Sequence, residues 1–146
     1  MTQVIDVRDL AGWMVAAASR HLHGTFNAAG LPVFLVDHLQ AAQRVAGFHG
    51  PVSKAAPEWL LAQQVSPWAG ARSLPLWVPW PSHAGFGARS VQAALAEGLV
   101  LRPLAETLSD TLDWELHDAG AWPRQAGLTD ADEADLLVCR NSLSNS

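Results

Sequence analysis

Gln3-Val-Ile-Asp-Val7 is an apolar, largely β-branched run, and the change of pattern directly after it decides how the chain is read. From residue 8 the hydrophobic period becomes helical. Leu10, Trp13, Met14 and Ala17 fall at i, i+3, i+4 and i+7, the spacing of one helical face. Gly24-Thr-Phe-Asn-Ala-Ala-Gly30 then returns to strand character between two glycines. A strand over 3–7, a helix over 8–19 and a strand over 24–30 predict a parallel pair joined by a crossover helix. Parallel strands are covered on both faces. The expected class is therefore α/β, with this chain supplying the last strands and helices of a larger sheet and another half preceding it.

Working outward, a turn at Gly30-Leu31-Pro32 leads to a predicted helix over 36–46, with Leu39, Ala42 and Ala46 on one face. Asp37 sits near its start, where a carboxylate meets free backbone N–H groups, and Gly47 marks its end. Residues 48–53 read as a short edge strand, and Pro57 opens a helix over 57–64. Prolines and glycines between 66 and 85 predict loop, although Leu74-Pro-Leu-Trp-Val-Pro-Trp80 is apolar enough to pack down. The next predicted helix covers 86–97, with Ala88, Val91 and Leu95 inward and Gly98 as its stop. Residues 99–102 read as a strand. Pro103 starts a helix carrying Leu104, Leu108, Leu112 and Leu116, which Gly120 and Pro123 end. Thr129 caps a last helix over 130–138. One domain over 1–140 and a polar tail over 141–146 are expected.

Composition narrows the function classes. The chain of 146 residues is 49% hydrophobic and 16% charged, which is a globular balance. A net charge of −5 argues against a nucleic-acid-binding surface. No run of about 18 apolar residues exists, so no membrane partner is expected. A single cysteine, Cys139, fits a reducing compartment, and the cytoplasm is the default location.

Few patterns carry chemistry. Gly85-Phe86-Gly87-Ala88-Arg89-Ser90 is the nearest approach to a dinucleotide loop, and it lacks the third glycine. There is no tyrosine to serve as a general acid. His21 and His23 lack further ligands nearby, and Asp130, Asp132, Glu133 and Asp135 lack the glycine of a calcium loop. Trp59, Trp68, Trp77 and Trp80 either line a pocket for a small organic molecule or seal an irregular loop. Asn27, polar among apolar neighbours, either hydrogen-bonds a substrate or ties down the adjacent loop.

Taken in order, the segments 3–13, 24–30, 52–61, 74–79, 84–86 and 94–114 resemble the C-terminal part of NAD(P)-dependent epimerase/dehydratase proteins, the extended short-chain dehydrogenase/reductases, and bacterial reductase-like members most closely. The resemblance implies the terminal strands and helices of a Rossmann-like parallel sheet plus a small, mostly helical substrate-covering region. It also implies that the nucleotide-binding half, with its glycine-rich loop and Tyr-x-x-x-Lys pair, is absent from this chain. The implied role is the substrate-binding half of a nicotinamide-dependent reductase or epimerase, inactive alone. The alternative is a non-catalytic interaction module that docks on a full-length relative. NAD or NADP is implied for the complete enzyme, with no cofactor bound by this chain alone. Implied partners are a Rossmann-domain chain or a second copy, and a small-molecule substrate. Asn27, Trp77, Trp80 and Arg89 are the candidate substrate-binding residues. No residue here is expected to be catalytic. Lys54 and Arg89 stand where relatives are expected to carry acids.

Overall fold

Helix capping decides most of the local structure. The computed structural model describes residues 1–118 and 125–144. Asp6 takes the N-cap position that starts α1 (Val7–Ser19), its Oδ1 accepting the Arg8 N–H at 2.9 Å. α2 spans Leu35–Val45, and α3, opened by Pro57 at its first position, spans Pro57–Ala62. β1 (Ser66–Pro67) and β2 (Ser73–Leu74) form a two-stranded parallel sheet, pairing Ser66 with Ser73 and Pro67 with Leu74. α4 (Gln92–Ala96), α5 (Leu104–His117) and α6 (Asp130–Ser144) complete the chain. The described residues thus form a small mixed α/β protein with six helices and one two-stranded parallel sheet. None of these helices is long and apolar enough to cross a membrane.

Several helix ends share one device. Gly47 adopts φ 61° after α2, and the Phe48 N–H donates back to the Gln43 carbonyl at 3.0 Å. Gly98, at φ 82°, lets the Leu99 N–H reach the Ala94 carbonyl at 2.9 Å. At the other end of the chain Thr129 and Asp132 cap each other reciprocally. The Asp132 N–H donates to Thr129 Oγ1 at 3.1 Å, and the Thr129 N–H donates to Asp132 Oδ2 at 3.2 Å.

The strand expectations are corrected. Residues 3–7 and 24–30 form no parallel pair. Thr2 and Val33 make an isolated antiparallel bridge, with N–H···O distances of 2.7 and 2.9 Å. The two segments still lie side by side, because a Cβ on Gly30 would collide with the Val4 carbonyl oxygen. Asp6 is the reason the first run stops short of a strand: its carboxylate binds the backbone ahead of it and turns the chain into α1. Residues 99–102 also form no strand, since the Arg102 N–H is taken by Asp9 Oδ2 at 2.9 Å. The expected edge strand at 48–53 is irregular backbone. The parallel pair that does exist lies at 66–74, inside the segment read as loop.

Helix bounds differ by more than two residues in two places. α4 starts at Gln92 rather than 86, because the preceding residues are bound elsewhere. A Cβ on Gly87 would collide with the Met1 carbonyl oxygen, and the Arg89 N–H donates to Gln3 Oε1 at 2.8 Å. α6 continues to Ser144, past the end expected at 138 and into the stretch read as a polar tail. α5 ends at His117, and the stop signals Gly120 and Pro123 lie outside the described residues.

Two compact units emerge. The first comprises Met1–Phe48 and Ala84–Asp118, and the second His49–His83 and Ala119–Ser146. In the first, Val91, Ala94 and Leu99 are buried, and Trp13 packs edge-on against Phe26 with ring centroids 5.5 Å apart. In the second, Leu60, Val65 and Leu136 form the core, covered by Ala55, Trp59, Leu74, Trp77 and Leu128.

Candidate functional site

One edge of the first unit collects polar side chains from distant parts of the sequence. Gln3, projecting from the extended N-terminal segment, works as a bracket. Its Nε2 donates to the Gly30 carbonyl at 3.0 Å and to the Arg89 carbonyl at 2.8 Å, while its Oε1 accepts the Arg89 N–H. Asn27 Nδ2 donates to the Ser90 carbonyl at 3.1 Å. Of the four residues singled out from sequence, Asn27 is thus bonded to the residue beside Arg89, so both lie on this edge. The Arg89 side chain is exposed, and among the described residues no carboxylate pairs with its guanidinium. Such a rim can hold an anionic or hydrogen-bonding group through Arg89, whose planar fork suits carboxylate or phosphate.

Trp77 and Trp80 belong to the second unit. Trp77 packs on the Leu60–Val65–Leu136 core, and its carbonyl accepts the Trp68 N–H at 3.1 Å. Trp80 is 76% exposed. The apolar run 74–80 thus packs down through Leu74 and Trp77 and leaves its last indole in solvent. Trp68 is held at φ 66°, an uncommon conformation for so bulky a residue, with its N–H also reaching the Leu74 carbonyl at 3.2 Å.

A second concavity in the first unit is electrostatic. A cleft of about 360 Å³ is lined by Ile5, Asp6, Arg8, Thr107, Asp110 and Trp114, among others. Asp6, nearly buried, accepts Arg8 Nε at 2.8 Å, Arg8 Nη2 at 2.6 Å and the Thr107 hydroxyl at 3.0 Å. Arg8 Nη2 also pairs with Asp110 at 2.5 Å. Asp9 accepts Arg102 Nε at 2.9 Å and Nη2 at 2.7 Å. The Arg8 guanidinium, assisted by the Arg8 N–H and the Thr107 hydroxyl, outweighs burial and holds the Asp6 carboxyl well below the usual carboxylate range. The Arg102 guanidinium lowers Asp9 in the same way. Carboxylates held this firmly ionised are poor proton donors at neutral pH, so this network fixes α1 against the start of α5 and supplies no general acid.

Sequence reasoning passed over Gln3, Asp6 and Arg8. The signal for Gln3 was a lone amide heading a β-branched run. The signal for the other two was Asp6-Val7-Arg8-Asp9, alternating charge at a helix start. His38 was also passed over. It is buried on α2 with Nδ1 3.3 Å from Thr2 Oγ1, and burial lowers its pKa. Among the described residues no group of three or more His, Cys, Asp or Glu could hold a metal ion. Cys139 is exposed on α6. No protein-family model matches the chain, and no characterised protein or solved structure is significantly similar to it.

Proposed function

We propose that this chain is the substrate-binding part of a nicotinamide-dependent reductase or epimerase-like enzyme, and that it is catalytically silent alone. In the assembled enzyme a Rossmann-like half holds NAD or NADP, and this chain contributes the rim that receives the substrate. The observation that carries the reading is the Asn27–Ser90 bond beside the exposed Arg89. Asn27 bonds to the carbonyl of Ser90, 63 residues away in sequence, and the guanidinium of the neighbouring Arg89 is exposed with no carboxylate partner among the described residues. Asn27 spends one end of its amide on tying the loop. Arg89 is therefore the residue that meets substrate, and the substrate class it favours is a small molecule bearing a carboxylate or phosphate.

The test is reconstitution with a Rossmann-domain chain. Arg89→Ala should raise KM for an anionic substrate by about tenfold or more, the loss of one charge-assisted hydrogen bond, with the melting temperature unchanged. Equal kinetics for variant and wild type would remove Arg89 from the site. The chain by itself should show no micromolar NAD(H) or NADP(H) binding in calorimetry, since no glycine-rich turn offers backbone N–H groups to a pyrophosphate.

A second reading, a non-catalytic module that docks on a full-length relative, is favoured by the exposed apolar face of α1, where Val7, Met14 and Val15 are all more than half exposed. The two readings separate on one measurement. A substrate-binding half restores turnover to an inactive Rossmann chain, whereas a docking module binds only an enzyme that is already active.

A further inference from the structure

The cleft between the start of α1 and α5 holds an arginine that is fixed more firmly than a surface ion pair requires. A guanidinium has five N–H donors. In Arg8, Nε and Nη2 donate to Asp6 at 2.8 and 2.6 Å, and Nη2 also pairs with Asp110 at 2.5 Å. Both N–H groups of Nη1 are unspent among the described residues. Asp6 is buried while Arg8 and Asp110 are about half exposed, so a buried carboxylate buttresses an exposed fork. An exposed pair alone can rotate and is worth little. Here the side-on contact with Asp6 sets the plane of the guanidinium, and Thr107 holds Asp6 in turn through its hydroxyl at 3.0 Å.

The free groups of this cleft come in both signs. Beside the Nη1 donors lies Asp110, whose second oxygen accepts no hydrogen bond among the described residues. Trp114 lines the same cleft, about half exposed, and its indole N–H has no partner among the described residues. Ile5 and Val7 add apolar lining, and the volume of about 360 Å³ is that of a small-molecule site. The charges narrow the ligand class. Asp6, Arg8 and Asp110 together carry one net negative charge, so a lone anion on Arg8 would face two carboxylates. A lone cation on Asp110 would face the guanidinium. A ligand that carries both signs on neighbouring atoms satisfies the pair and leaves neither opposed.

We propose that this cleft binds a free α-amino acid with an apolar or aromatic side chain. The carboxylate accepts from Arg8 Nη1, the ammonium donates to Asp110, and the side chain lies against Trp114. An α-amino acid carries its two charges on one carbon, so it can meet a cation and an anion that are themselves in contact. A sugar or other polyol matches the same donors and acceptors, but it forms bonds that are charged on one side only and has no use for two opposed charges. The site uses none of the residues of the Asn27–Arg89 rim and does not rest on the enzymatic reading. Bound ligand ties the start of α1 to α5, so it should raise the stability of the first unit.

The test uses the full chain, isotope-labelled at its indole nitrogens, and reads the Trp114 N–H by NMR, assigned through its loss in Trp114→Phe. Titration with L-phenylalanine or L-leucine should move this signal, with a Kd on the order of 0.1–1 mM. Hydrocinnamate and isocaproate lack the ammonium, and phenethylamine and isoamylamine lack the carboxylate. Each should bind at least about tenfold more weakly than its parent amino acid, the loss of one charge-assisted bond. Asp110→Asn, at an exposed position, should keep its melt, lose about tenfold in affinity for the amino acids and bind hydrocinnamate no worse than wild type. The analogue series reads the same contact without any substitution, so it decides alone if that variant unfolds. A Trp114 signal unmoved by both amino acids at about 10 mM would overturn the proposal. An analogue as tight as its parent would do so too, by assigning the cleft to simple anions or amines. Glucose moving the signal at lower concentration than the amino acids would assign it to polyols instead.

Discussion

The two units are held by different forces. The second unit closes around an apolar cluster, Leu60, Val65 and Leu136, with Trp59, Trp77 and Leu128 packed over it. The first buries few large apolar side chains and is tied by side-chain brackets. Gln3 binds the segments around 30 and 89, Asp6 binds Arg8 and Thr107, and Asp9 binds Arg102. Apolar burial is nearly indifferent to pH and salt, whereas ionic brackets respond to both. The units should therefore fail under different conditions, although they share one chain.

The largest effect is expected in the second unit. Leu136→Ala removes a buried side chain from a small core and should cost about 2–4 kcal/mol. Amide hydrogen exchange should accelerate in α3 and α6 while α1 and α5 keep their protection. Uniform acceleration in all four helices would mean that the units unfold as one.

Acidification should reverse the pattern. The folded-state pKa values of Asp6 and Asp9 are depressed, so their stabilisation is present above the unfolded carboxyl value near 4 and is lost as pH falls through the folded values. Asp132, lowered by the Thr129 hydroxyl and N–H and by Arg72, gives the second unit a smaller share of the same effect. His38 adds an earlier slope. Burial lowers its folded pKa, so stability is full above its unfolded value near 6.5 and declines as pH drops below it. Exchange measured at pH 7, 5 and 3 should show α2 loosening first, then α1 and α5, with α3 persisting. Replacing His38 with Gln should flatten the slope between pH 7 and 5.

Smaller effects are expected from single brackets. Asp6→Ala loses the α1 cap together with the partners of Arg8 and Thr107, and should lower the melting temperature by roughly 5 °C. High salt should narrow the gap between variant and wild type. Gln3→Ala should leave the melting temperature within about 2 °C and still raise exchange at Arg89, whose N–H loses its acceptor. An unchanged Arg89 amide would show that the bracket is decorative.

The same division explains how much of the structure is legible in the sequence. Helices are legible wherever caps and periodicity agree, as at Gly47, Pro57, Gly98 and Thr129, because those signals act within one turn of chain. The strand expectations at 3–7, 24–30 and 99–102 fail because β-branched composition reports a preference for extended backbone and cannot say what the N–H groups will meet. Here side chains take the backbone: the Arg102 N–H goes to Asp9, 93 residues away, the Arg8 N–H just past the first run goes to Asp6, and the Gly30 carbonyl accepts the Gln3 amide. The parallel pair at 66–74 is invisible for the opposite reason. Two residues per strand leave no periodic pattern, and the pairing rests on Ser73, whose hydroxyl donates to the Gly70 carbonyl at 2.7 Å and accepts the Gly127 N–H at 3.0 Å. Of the candidate site residues, Asn27 bonds to Ser90 beside Arg89, and Trp77 joins a core. Only the three-dimensional path of the chain distinguishes those fates.

The interleaving of the units has a consequence in time. The chain enters the first unit, leaves at Phe48, returns at Ala84 and leaves again at Asp118. The Asp9–Arg102 bonds join residues 93 positions apart. A ribosome adding about 5–20 residues per second needs roughly 5–20 seconds to make Arg102 after it has made Asp9. For that interval α1 exists without the segment that will cover its Asp9 side, and both of its faces are open to whatever else is near. α1 is therefore most open to other contacts in the interval before the residues that complete the first unit have been made.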